Sequence, residues 1–183
     1  MGHGVVRTDL MHGTDVRAGL VSVKYIVTTG SGTTESPYVH TPTAIDNGNV
    51  LLLGDLMDGE REIYKGSAVA ANSPLKDVVL VDSPEVMYDE RFRDLADYYN
   101  VAGKPCRGYR LHKWDVFSLT ADALAFATNE TTDGKVGSIV ELKAGTKLQA
   151  KTGSATSGST VVGKIIAIDV VGKYTFYVIR VTE

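Results

Sequence analysis

From Ser138 onward the chain is a succession of short apolar stretches cut by turn signals, and that rhythm limits its fold more than any other feature. Ser138–Leu142, Lys147–Ala150, Val161–Val170 and Tyr174–Val181 read as strands, with turns at Ala144-Gly145 and Gly172-Lys173. Together they predict a small barrel or sandwich.

The same syntax runs through the middle of the chain. Asn47-Gly48 is a tight-turn dipeptide ahead of the apolar run Val50–Leu53, and Asp58-Gly59 is a second turn before Glu62-Ile63-Tyr64. Asp77–Val81 reads as a buried strand stopped by Asp82-Ser83-Pro84. Strand patterns return at Gly108–His112 and Trp114–Leu119, and Thr120 caps a single expected turn through Ala121–Leu124 before a polar loop around Asp133-Gly134.

One helix is predicted, over 89–102. Asp89 caps it, Glu90 sits in its first turn, and Phe92, Leu95, Tyr99 and Ala102 follow at helical spacing until Gly103 and Pro105 end it. Arg93, Asp94 and Asp97 mark a solvent face, so the helix is expected to lie over a sheet as a lid.

Residues 1–43 read as an extended N-terminal arm. They are rich in Gly and Thr, as in Thr28-Thr29-Gly30-Ser31-Gly32-Thr33-Thr34, and hold one strand in which Val21, Val23, Tyr25 and Val27 alternate with Ser22, Lys24 and Ile26. The fold class is therefore mainly β: an arm over 1–43 and a β-rich body over 44–183, divisible near the helix into 44–106 and 107–183. Thr152–Thr160 is a low-complexity hairpin tip with little to bury.

At 183 residues the chain is long enough for a substantial core. Nineteen basic and 22 acidic residues leave a net charge of −3, too even a balance for a nucleic-acid footprint. A lone cysteine, Cys106, excludes an internal disulfide and fits synthesis in a reducing cytoplasm. The N-terminal residues lack the apolar run of a signal peptide, and no stretch approaches the roughly 18–20 apolar residues a membrane span needs.

Candidate chemistry is sparse. Gly153–Thr160 imitates a phosphate-binding P-loop, but Ser159 stands where its lysine belongs and a strand pattern follows instead of a helix. Asp55, Asp58, Glu60 and Glu62 crowd Gly59 without the spacing of a calcium loop, and read as a solvated tip. His3, His12, His40 and His112 include no pair at metal-binding helical spacing. Cys106, His112 and Asp115 invite a nucleophile, base and orienter, yet about 20 Å of strand would part Cys106 from His112. Arg107, Arg110 and Lys113, with Tyr109 and Trp114, give a short basic stretch that reads as a solvated or interface-lining strand face. No catalytic, cofactor-binding or metal residues are assigned, and the protein is expected to work by presenting surfaces, not as an enzyme.

Three stretches carry a family resemblance: Pro84–Arg91 continuing to Gly103-Lys104 and Arg107-Gly108-Tyr109; Asp115–Thr120; and Gly163–Ile168 with Tyr174–Val181. Over roughly residues 45–181 the chain resembles the head decoration or cement proteins of tailed bacteriophages, encoded beside the major capsid protein. The resemblance implies a β-rich structural protein on the capsid exterior, made in the host cytoplasm, with a terminus reaching across neighbouring capsomers. It implies the major capsid protein as partner and self-association as a trimer, while charge balance and hydropathy predict no nucleic-acid or membrane partner and the motifs no small-molecule substrate or cofactor. In the arm, Val5, Val6, Arg7, Val21, Val23, Tyr25 and Val27 are the expected partner-binding residues, pairing with a neighbour by strand addition. The alternative expectation is a virion module that recognises a host-surface glycan or receptor through Ser31–Ser36 and Gly153–Thr160.

Overall fold

The computed structural model describes residues 2–7, 19–87 and 94–182. Strands hold 46% of the residues and helical turns 8%, which makes the fold mainly β. Two curved sheets share one of its two hydrophobic clusters.

The first sheet is a closed five-stranded barrel. Its staves are β1 (Leu20–Thr29), β3 (Val50–Leu56), β4 (Ile63–Ser67), β5 (Val78–Val81) and β6 (Cys106–Arg110), and β2 (Val39–Pro42) continues β1 outside it as a two-stranded ribbon. The order is β1-β4-β3-β5-β6, and β6 returns to β1 through Leu20–Val23 against Cys106–Tyr109. Closure leaves none of these strands with a bare edge along the barrel wall. Only β1 and β4 run parallel. Val23, Ile45, Leu51, Val79, Val81 and Cys106 fill the interior. The bore is narrow: a Cβ on Gly66 would lie 2.5 Å from Val23 Cγ2 and 2.9 Å from Leu51 Cδ1, so only glycine fits there.

The second sheet is a curled half-barrel. It comprises β7 (Val116–Thr120), β8 (Leu124–Phe126), β9 (Ile139–Leu142), β10 (Leu148–Lys151), β11 (Val161–Val171) and β12 (Tyr174–Val181), in the order β7-β12-β11-β9-β10-β8. Bulges in β11 at Val161/Gly163 and Ile165/Ala167 bend it. Its concave face places Phe117, Leu119, Val140, Leu148, Ile165 and Ile179 against Val50, Val78 and Leu80 from the outer wall of the barrel.

All four residues of β5 are buried, and period-two alternation divides them between the two clusters. Val79 and Val81 point into the barrel, while Val78 and Leu80 point at the second sheet. That double burial is why Val78–Val81 is continuously apolar instead of alternating.

The single α-helix among the described residues, α1, is Glu130–Asp133, and Asn129 Oδ1 caps it by accepting from Thr132 N at 2.8 Å. It does not coincide with the helix predicted over 89–102. Of that span, 94–102 contain only a 3₁₀ turn, Leu95–Asp97, and the remainder lies outside the described residues. Leu95, Tyr99 and Val101 are exposed, so the helical spacing of apolar residues here has no core face to meet. Asn100 pairs instead with Ile45 through both backbone groups, at 3.0 and 2.8 Å.

The N-terminal segment is extended but is not a free arm. Val6 bridges Leu119 on the edge of β7, Val5 N donates to Thr120 Oγ1, and both valines are buried by this chain's own residues. β1, assigned to the arm from sequence, is a barrel stave. The passage between sheets falls between Arg110 and Val116 instead of at 106/107.

Candidate functional site

Of the seven residues expected to anchor a partner, five pack in or against this chain's own core. Val5, Val6 and Val23 are core, and Val21 and Tyr25 pack on the barrel cluster. Val27 stands opposite Thr41 in the ribbon, and the Arg7 guanidinium lies 5.6 Å from the Phe176 ring centroid. Alternation along β1 marked a strand correctly but could not say whose sheet it joins.

The catalytic combinations weighed from sequence do not assemble. Cys106 faces the barrel interior, donates its Sγ hydrogen to Val23 O at 3.2 Å, and has its thiol pushed up to about 11 by burial. His112 lies beyond the end of β6, in a turn where its amide donates to Asp115 Oδ2 at 2.9 Å. Asp55, Asp58, Glu60 and Glu62 sit around the β3–β4 turn; Asp58 and Glu60 meet Lys65 and Lys24, and the described residues contain no group of three or more metal-ligating side chains. Gly153–Thr160 links β10 to β11, and Thr156 fastens it down by giving N–H and O–H bonds to the buried Glu141 carboxylate at 2.7 and 2.6 Å. His12 lies outside the described residues.

A cleft of about 790 Å³ opens beside the barrel, between the start of β1, the segment after β5 and residues 97–107. Val21, Val86, Met87, Tyr98, Tyr99 and Arg107 contribute to its lining. Next to its Ser83 lining, one residue back along the chain, lies a strongly perturbed acid. Asp82 is wholly buried, neither carboxylate oxygen has a hydrogen-bond partner among the described residues, and burial first, then the Glu85 charge, push it up to about 7 against the opposing pull of Arg107. Glu85 is raised too, by burial. The pair can hold a proton near neutrality, and among the described residues no group of three or more metal-ligating side chains includes it.

The other conspicuous site is the turn between β6 and β7. Trp114 has φ +79°, the only positive value at a non-glycine among the described residues, and is 60% exposed. The sequence reading placed it in a strand; its neighbours His112 and Asp115, three apart and bonded to each other, form the turn instead. An exposed tryptophan in left-handed backbone stores strain of the kind that clusters at functional sites.

No family model, curated protein or solved structure matches this chain.

Proposed function

We propose that this protein is a structural component of a tailed-phage virion that binds the capsid exterior and stabilises the lattice by contact, without catalysis. The far half of the β11–β12 hairpin supports this reading. Ile166, Ile168, Val170 and Val171 are 37%, 39%, 73% and 47% exposed, and past Ile165 the outer edge of β11 pairs with no strand of the described residues. An apolar strand with an open edge is an association site unless something covers it. Strand addition onto a neighbour would cover it, and repetition over a lattice makes weak contacts collectively strong. The contact role expected of the N-terminal residues passes to this hairpin, since Val5, Val6 and Val23 are committed to the core.

The test is co-sedimentation with capsids lacking the protein, beside an unrelated capsid. Saturable binding that weakens in an Ile168→Lys, Val170→Glu double variant is the expected result; no binding to its own capsid overturns the reading.

Recognition of a host-surface glycan or receptor is the second reading, favoured by Tyr38. This tyrosine is 60% exposed beside the loop of residues 31–36, with its ring packed on Gly32 and stacked on His40 at 6.5 Å. A glycan array with wild type and Tyr38→Ala separates the two readings.

A further inference from the structure

Cross-strand register sets five residues in one row across the second sheet: Val116 on β7, Arg180 on β12, Lys164 on β11, Ile139 on β9 and Lys151 on β10. Directly opposed residues project from the same face. Their chain neighbours Phe117, Ile179, Ile165, Val140 and Ala150 are all core, so the row lies on the face turned away from it. Arg180 and Lys164 are exposed and directly opposed, a like-charged pairing that destabilises a sheet. Among the described residues no carboxylate forms an ion pair with Arg180, Lys164 or Lys113, while Lys151 gives a hydrogen bond to Thr156 Oγ1 at 3.1 Å.

Trp114 closes the β7 end of this row. The Arg180 guanidinium is 5.5 Å and the Lys113 ammonium 5.8 Å from its ring centroid, and Trp114 N donates to Val181 O at 3.1 Å. The turn therefore fixes a large aromatic in solvent between two cations, although neither packing nor backbone preference asks for one there. Tryptophan and arginine are the residues that most often carry the binding energy of protein interfaces.

We propose that this row is a docking face for an acidic protein surface, with Trp114 as apolar anchor and Arg180, Lys164 and Lys113 meeting carboxylates of the partner. Val116 at the β7 end and Ile139 between Lys164 and Lys151 give the row aliphatic contact area. A nucleic-acid strand is disfavoured because such sites use successive aromatic platforms along a positive groove, and this face offers one ring on a sheet. Asp169, on the same face farther along β11, bounds the positive patch. The inference concerns the partner's chemistry and stands apart from whether that partner is a capsid.

Trp114 is the only tryptophan, so its fluorescence reports the site directly. Titrating the full-length protein with a synthetic glutamate-rich peptide containing leucines should give a saturable blue shift. Binding should weaken as salt rises, and by roughly tenfold or more in an Arg180→Glu, Lys164→Glu double variant. Trp114→Ala, read by calorimetry, should also lose binding. No shift with the peptide, equal binding by the double variant, or a shift caused by oligothymidylate and not by the peptide each overturns the proposal. Peptide binding without capsid co-sedimentation sinks only the virion reading; capsid binding indifferent to the double variant and to the peptide sinks only this one.

Discussion

Asn47 and Ser83 exchange two hydrogen bonds across the mouth of the barrel: Asn47 Nδ2 donates to Ser83 O at 2.9 Å, and Ser83 N donates to Asn47 Oδ1 at 3.0 Å. Asn100 Nδ2 also donates to that Oδ1 at 3.0 Å, so one buried amide ties together three segments distant in sequence. Asn47→Ala strands the Ser83 amide and carbonyl away from water and leaves Asn100 Nδ2 only its bond to Ile45 O, and should cost about 2–4 kcal/mol. Urea denaturation measures this; a loss within experimental error of zero would mean that water replaces the side chain.

Asp82 makes stability depend on pH in the direction opposite to most carboxylates. Its folded value is about 7 against an ordinary 3.8, so between about pH 4 and 7 the folded state binds more protons than the unfolded one. Stability contributed by this group is therefore greatest on the acid side, falls as pH rises through that window, and levels off above it. The full swing is on the order of 4 kcal/mol. Asp82→Asn should flatten the decline and raise the urea midpoint at pH 8; a wild-type profile already flat from pH 5 to 8 contradicts this account.

The Cys106 thiol, held up at about 11 inside the barrel, should resist iodoacetamide at pH 8 in the folded protein and react at once in denaturant. Mass spectrometry of the two reactions gives the answer. Rapid labelling under native conditions would show that the barrel opens locally.

Gly66→Ala forces a methyl group against Val23 and Leu51 and should cost about 1–3 kcal/mol. Combined with Val23→Ala, which vacates that space, the loss should be smaller than the sum of the single losses, because the two sites share one contact. Additive losses in a double-mutant cycle would place the strain elsewhere.

Much of the fold is legible in the chain because strands and turns are local. Val161–Val171 and Tyr174–Val181 around Gly172, and the reversal at Gly59 between Leu56 and Ile63, follow from alternation and turn chemistry alone. The destination of a strand is not local. Nothing in Val21, Val23 and Tyr25 announces a parallel partner at Ile63–Gly66, so β1 reads as an arm when it is a stave. Leu95 and Tyr99 imitate a helix, and the reason they do not form one, the pairing of Asn100 with Ile45, lies 55 residues away. The basic row is hidden for the same cause: Lys164, Arg180, Ile139 and Lys151 become neighbours only through register.

Because β5 serves as a party wall, with Val79 and Val81 furnishing one room and Val78 and Leu80 the other, neither compartment can be vacated alone. Losing the barrel would bare the wall to its neighbour's side, and the reverse. The molecule should therefore melt in a single calorimetric step with matching calorimetric and van't Hoff enthalpies. Drift across generations should be slowest in these four residues and freest at the hairpin tips, where a change on one side of the wall is not felt on the other.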